Sequence, residues 1–252
     1  MQIGQKIHHL LEINSTMEAC KRLSTLGEPN GTIVSANYQK SGRGRFKRKW
    51  VSPSGDNIQM SVLLRSNQRE LKYLNIFASM AVLATCEQTL GVHGSIKWPN
   101  DVQINGKKIA GILIETVFEG EKVLSSVIGI GLNVNLDVKT QPDIEDTATS
   151  LKCEKGRYIS RSVILKKLIT QLNFYYSQIS DGRILTQRWS DKLSTIGEEV
   201  TLSFGKNPEE NVLVGLAESI SDDGGLIIRK TDGSLFTANA GEVTLAKRGK
   251  IL

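Results

Sequence analysis

The stretch Ser95-Ile96-Lys97-Trp98-Pro99-Asn100-Asp101-Val102-Gln103-Ile104-Asn105-Gly106-Lys107-Lys108-Ile109 decides how the chain is read. Proline has no amide hydrogen and restricts the residue before it, so a short strand from Ser95 ends at Pro99. Asn105-Gly106 between two short apolar runs is a strong hairpin signal, because a tight primed turn needs positive φ at its central residues. The strand it opens continues through Ile112, Leu113, Ile114 and Val117, turns at Glu119-Gly120-Glu121 and returns as Val123 to Asn133. This spacing predicts a β-meander that sends Lys97, Asp101, Lys108 and Asn133 out from neighbouring strands of one sheet. Solvent-facing lysines are the ordinary reading of Lys97 and Lys108. Lys97 fits it less well, since it adjoins Trp98 and Pro99 rather than an evident polar face.

Toward the C-terminus, Val138 to Thr149 is polar, acidic and aperiodic, which predicts a mobile loop. Val163, Leu165, Ile169, Leu172 and Tyr176 give helical spacing over 162–179. From about Ser194 the pattern changes. Short runs (Val200 to Phe204, Asn211 to Ile220, Leu226 to Arg229, Leu235 to Ala238, Val243 to Ala246) alternate with Gly-Lys-Asn-Pro, Asp-Asp-Gly-Gly and Asp-Gly turns. Five short strands with tight turns predict a small β-barrel of SH3-like size. Two domains follow, 1–193 and 194–252, in an α+β chain: a mixed sheet with flanking helices, then the barrel.

Toward the N-terminus, Leu71 to Leu90 carries Leu71, Leu74, Phe77, Ala78, Ala81 and Val82 at core-facing helical spacing. Ile58, Met60, Val62 and Leu64 alternate as in a half-buried strand. Thr32 to Tyr38 and Ile7 to Ile13 read as strands. Between the latter two, Ser15-Thr16-Met17-Glu18 has the form of a capping box. The helix it opens puts Cys20, Leu23 and Leu26 on one face and stops at Gly27.

Lys40-Ser41-Gly42-Arg43-Gly44-Arg45-Phe46-Lys47-Arg48-Lys49-Trp50 carries six cations, and no acid occurs between Pro29 and Gly55. A segment that repels itself and buries little apolar surface should be poorly ordered until an anion gives its guanidinium groups and glycine amides something to close on. The ordinary reading is a solvated basic loop or nucleic-acid patch.

The 252 residues suffice for one large core with a small satellite, and the net charge of +6 favours an anionic partner. Three cysteines, Cys20, Cys86 and Cys153, without CxxC spacing argue against disulfides and zinc and suit a reducing cytoplasm. No run reaches membrane-spanning length. Gly42-Arg43-Gly44 begins like a dinucleotide fingerprint, but Lys47 stands at the third glycine position. Neither a P-loop nor G-x-S-x-G occurs, and His8, His9 and His93 have no triad or metal partners by spacing. Arginines in a glycine loop, lysines on a sheet and one carboxylate suit chemistry in which negative charge grows at phosphorus.

Four blocks together, Ser41 to Trp50, Lys97 to Asp101, Lys108-Ile109-Ala110-Gly111-Ile112-Leu113-Ile114-Glu115 and Gly129-Ile130-Gly131-Leu132-Asn133-Val134-Asn135, resemble biotin protein ligase in order and spacing over nearly the whole chain. The family's loop reads G-R-G-R-x-G-R, and here Lys47 replaces the later glycine. The resemblance implies the class II synthetase-like fold of biotin and lipoate ligases. The chain starts about where the catalytic domain of the family's bifunctional members does, which implies a ligase without repressor activity or DNA binding.

The resemblance further implies biotin and Mg-ATP as substrates, no tightly bound prosthetic group, and a biotin carboxyl carrier domain as partner, with homodimerisation left open. It places Ser15, Thr16 and Gln39 at the ureido ring of biotin. Gly42, Arg43, Gly44 and Arg45 close over its carboxylate, with Lys108 and Gly111 near the acyl-phosphate end. ATP is expected beside Arg43, Arg45, Arg48, Lys97, Asn100, Lys108 and Asn133, with Trp50 as a stacking wall. Arg45, Lys97 and Asp101 are the catalytic candidates: Lys97 neutralises charge, and Asp101 orients or deprotonates the incoming amine. Two rivals are a lipoate ligase, whose Arg-rich triple-glycine signature is absent, and a basic nucleic-acid module, which 6% aromatics poorly equips for base stacking.

Overall fold

The computed structural model describes residues 2–205 and 211–245, apart from the side chain of Lys47. Its elements run β1 (Ile7–Ile13), α1 (Thr16–Thr25), β2 (Ile33–Gln39), β3 (Ile58–Leu64), α2 (Leu74–Leu90), β4 (Ser95–Lys97), β5 (Asp101–Ile104), β6 (Lys107–Glu119) and β7 (Lys122–Leu132). There follow α3 (Leu151–Lys155), α4 (Arg161–Tyr176), α5 (Gly182–Ser190), β8 (Glu199–Ser203), β9 (Val212–Ile220), β10 (Leu226–Lys230), β11 (Leu235–Ala238) and β12 (Glu242–Leu245). The first seven strands form one sheet in the order β1-β2-β3-β7-β6-β5-β4, in which only β1 and β2 are parallel, joined by α1. The remaining five form an antiparallel sheet in the order β11-β10-β9-β8-β12. Among the described residues β11 and β12 share no ladder, so the five-strand unit is open along that seam. The Gly-Lys-Asn-Pro turn beyond Gly205 and the end of the last strand at Ala246 lie outside the described residues.

The meander forms as its turn chemistry dictates: Asn105 and Gly106 take φ of 51° and 75°, the positive values a primed turn needs. β3, expected to be half-buried, is buried at all seven positions. It lies inside the sheet with cover on both faces. Ile58, Met60, Val62 and Leu64 join the core of α2, and Leu63 packs with Met17 and Cys20 of α1. Ser15 caps α1 by accepting from the Glu18 amide at 3.4 Å. Glu18 does not complete the capping box; its carboxylate reaches Arg43 instead. The helix ends before Leu26 returns to the core, leaving that side chain 77% exposed.

α4 packs through Ile164, Leu168 and Leu172, one i, i+4 row. This is rotated from the expected face, so Val163 is exposed. Helices α3 and α5 carry too few turns for periodicity to reveal. The 138–149 stretch, expected to be mobile, is pinned at its end: the Lys108 amide donates to Thr147 O at 2.8 Å, and the Thr149 amide to Lys108 O at 2.9 Å. The two sheets also share a core. Val200, Leu202, Ala217 and Ile228 lie in the same buried cluster as Ile76 and Trp98. Trp98 is bonded across the junction, from its amide to Thr195 Oγ1 at 2.9 Å and from its indole to Gly224 O at 3.0 Å. Among the described residues no helix is long and apolar enough to cross a membrane.

Candidate functional site

Helix α1 covers only part of its face of the large sheet, and a cleft of about 670 Å³ occupies the part it leaves open. Strand register explains the floor of that cleft. Lys97 pairs with Asp101, Asp101 with Gly111, Gly111 with Gly131, and Gly131 with Gln59, one row across five strands. Side chains in one such row stand on the same face. The row therefore has charge at one end, an amide at the other, and two bare glycines between. In Gly129-Ile130-Gly131 the alternation sends Ile130 into the core and leaves backbone exposed to the cleft.

The bare centre is needed, because the Trp50 ring approaches it. A Cβ on Gly131 would fall 2.5 Å from the indole Cε2, and one on Gly111 would lie 3.2 Å from Cζ3. At the charged end, Lys108 Nζ is 2.7 Å from Asp101 Oδ1 and 5.6 Å from the centroid of the Trp50 ring. The Lys97 side chain has no ion-pair or hydrogen-bond partner among the described residues. At the opposite end, Gln39 Oε1 accepts from the Thr16 amide at 2.7 Å and from Thr16 Oγ1 at 3.0 Å, and its amide nitrogen donates to Gln59 at 2.9 Å. Ser15 stands beside them at the start of α1.

The basic loop spans the cleft as a small hairpin. The Trp50 amide donates to Gly42 O at 3.0 Å and the Gly44 amide to Arg48 O at 2.8 Å, with Phe46 at φ 53° in the turn. The acids missing from its sequence neighbourhood arrive from elsewhere. Arg43 is held by Glu18 of α1 and Glu115 of β6, and Arg48 by Glu242 of β12. Arg45 donates to Asn100 Oδ1 at 3.2 Å and to Gly241 O at 2.7 Å. Burial pushes the Arg45 guanidinium down, against the pull of Asp101 and Glu242. The Arg43 hydrogen bond holds the Glu18 carboxyl low; burial raises that of Glu115, but Lys21 and Arg43 outweigh it.

Two buried polar atoms of the cleft lining, Asn133 Oδ1 and Trp50 Nε1, have no partner among the described residues. The Asn133 amide nitrogen is fixed to Thr149 O at 3.0 Å, which leaves its carbonyl as an acceptor. Buried groups of this kind are normally satisfied, so their vacancy marks where a ligand's donor and acceptor belong. Six Lys and Arg side chains line the cleft against three Asp and Glu, which suits an anionic occupant.

Comparison with known proteins agrees. Residues 11–133 match the Biotin/lipoate A/B protein ligase family, and residues 195–245 the Biotin protein ligase C terminal domain. The bifunctional ligase/repressor BirA of Bacillus spizizenii is 34% identical over 92% of this chain and 71% of its own length. The biotin--[acetyl-CoA-carboxylase] ligase of Paracoccus denitrificans is 31% identical over 79% of this chain and 85% of its own. The chain belongs to the biotin protein ligase family. Its fold agrees with the Aquifex aeolicus biotin protein ligase in complex with biotin and ATP, with a TM-score of 0.79, 29% identity, and 96% of this chain and 99% of that one covered.

In this ligase, Ser15, Thr16, Gln39, Arg43, Gly44, Arg45, Arg48, Trp50, Lys97, Asn100, Asp101, Lys108, Gly111 and Asn133 all line one cleft. Of the expected residues Gly42 alone stands back from the lining, in the hairpin that bridges it. Sequence reasoning missed Gly129 and Gly131, for which period-two glycines in a strand were the available signal. It also missed Glu18, Glu115, Glu242 and the segment from Ile144 to Ala148, which come together only through the fold. The Lys47 side chain, where the loop departs from the family pattern, is outside the described residues.

Proposed function

We propose that this site couples biotin to AMP and passes the biotinyl group to a lysine on the carrier domain of a carboxylase. The protein is an ATP-dependent biotin–protein ligase. The observation that carries the reading is the row Lys97–Asp101–Gly111–Gly131–Gln59: polar neutral groups at one end, cations at the other, and between them an apolar stretch in which the Trp50 ring lies over Gly111 and Gly131. That order matches biotin, whose ureido ring and carboxylate are separated by an apolar chain.

Thr16, Gln39 and Ser15 hold the ureido ring, and the Gly42 to Arg45 backbone receives the carboxylate. A carboxylate oxygen attacks the α-phosphorus of Mg-ATP, the bond from that phosphorus to the bridging oxygen breaks, and pyrophosphate leaves. Lys97, Lys108, Arg45 and Arg48 neutralise the charge that builds on the phosphate oxygens. Asn100 holds Arg45, Asn133 Oδ1 accepts from the adenine amino group, and Trp50 stacks beside it. Magnesium arrives with the nucleotide. In the second step the carrier lysine attacks the acyl carbon of the mixed anhydride and AMP departs. The lysine ammonium, of pKa about 10.4, must first lose a proton, and Asp101 orients the amine and takes that proton.

The catalytic body spans 1–193 and the C-terminal domain 194–252, and the protein works in the cytoplasm. Incubation with biotin and ATP should give biotinyl-5′-adenylate by mass spectrometry, and a carrier domain should then gain one biotin. Adenylate made equally well from lipoate, or none at all, would remove the assignment.

A further inference from the structure

We propose that Glu115, with Glu18, is a positioning residue: through Arg43 the two carboxylates fix the backbone that receives the carboxylate of biotin, and the Arg43 side chain binds no substrate. The inference rests on the ligase reading above and deepens it. Arg43 Nη2 lies 2.5 Å from Glu18 Oε1 and 3.0 and 3.2 Å from the two oxygens of Glu115. Lys21 closes the cluster, pairing with Glu18 at 3.2 Å and with Glu115. Two cations and two anions compensate one another, so the Arg43 guanidinium is already engaged by carboxylates when a phosphate arrives. Charge-assisted bonds of this kind are the strong ones, and a ligand would have to break them.

The carboxylates come from elements that also shape the cleft. Glu18 sits three residues beyond Ser15 on α1. Glu115 stands on the same face of β6 as Gly111 and Leu113, by the two-residue period of a strand. Arg43 forms an isolated bridge with Lys49, within the hairpin closed by Gly42–Trp50 and Gly44–Arg48 bonds. Fixing one side chain therefore fixes the loop against both walls of the biotin end. Arg45 and Arg48 reach the other way, to Gly241 and Glu242. The loop is anchored by its first arginine; Arg45, held by neutral acceptors, and Arg48, whose single pair with Glu242 is exposed and so costs little to break, are left to the nucleotide.

Steady-state kinetics of the full chain with biotin, ATP and a carrier domain test this, alongside thermal unfolding. Glu115→Gln should raise KM for biotin about tenfold, the loss expected when a charge-assisted bond goes. Its kcat and KM for ATP should stay within a factor of about two, because uniform binding of one substrate is what is removed. Glu115→Asp should recover most of the affinity, and Glu12→Gln, which breaks an exposed pair with Lys40, should change nothing. Arg43→Gln should match Glu115→Gln, and the double variant should be no worse than the worse single one. A normal KM for biotin in a folded Glu115→Gln protein, additive losses, or a KM for ATP raised by Arg43→Gln overturns the proposal while leaving the ligase reading intact. A wild-type protein that forms no adenylate overturns both.

Discussion

Trp50 occupies the space that a side chain at Gly131 would need, since a Cβ there would come within 2.5 Å of its ring. Neither residue is near the other in sequence, and each explains the other: the bare strand leaves room for the indole beside Lys108 at the charged end of the cleft. Gly131→Ala should therefore displace Trp50 rather than unfold the strand, whose backbone there is ordinary. Overpacking costs about 1–3 kcal/mol, which appears as a KM for ATP raised roughly 5- to 150-fold. Kinetics with ATP and biotin varied separately check it, together with the Trp50 contribution to fluorescence. An unchanged KM for ATP would show that the contact carries no function.

Arg45 and Lys97 should fail differently. Arg45 belongs to the loop and is held by Asn100 and Gly241, so Arg45→Ala loosens the lid over the intermediate. Slow adenylate formation and leakage onto unrelated lysines are expected. The Lys97 side chain, on β4, has no ion-pair or hydrogen-bond partner among the described residues, which leaves its charge free. Lys97→Ala should slow adenylate formation by ~10²–10³ with little leakage, the usual loss of a preorganised charge. Separate assays of adenylate formation and carrier transfer distinguish them. The same ratio of defects in both variants would mean that loop and strand act as one unit.

The Arg43 cluster sets an acid limit. Glu18 and Glu115 both titrate below the ordinary carboxyl value of 4.5. A carboxyl held low in the folded state binds fewer protons there than in the unfolded chain. Its stabilisation is therefore complete above that ordinary value and lost as pH falls through the lowered one. The thermal midpoint of the wild type should exceed that of Glu115→Gln at neutral pH, and the gap should close below the ordinary carboxyl range. A gap that persists in acid would show that lost packing, not lost charge, separates them.

A chain ending at Leu193 should lose more than carrier transfer. Trp98 bonds to Thr195 and Gly224, the Ser194 amide donates to Ile96 O, and the buried cluster runs on into Val200, Leu202 and Ile228. Truncation exposes that surface and removes Gly241 and Glu242 from the loop. Lower stability and poor biotinylation are expected, measured by thermal unfolding and carrier labelling. Full activity from the shortened chain would count against both the shared core and the loop contacts.

Elements with local causes were legible in the sequence. The Asn105-Gly106 hairpin, the Ser15 cap, the Gly27 stop and the five C-terminal strands rest on φ preferences, capping and alternation, which act within a few residues. For the same reason Lys97, Asp101 and Lys108 could be assigned to neighbouring strands, since a meander's connectivity is nearly its topology. Burial of β3 on both faces, the rotated face of α4, the tethered 147–149 segment and the core shared between the sheets depended on what packs against each element, which spacing does not record. The loop shows the division most plainly. Its charge was visible in the sequence and read as uncompensated. Glu18, Glu115 and Glu242 compensate it from three elements that only the folded chain brings within hydrogen-bonding reach.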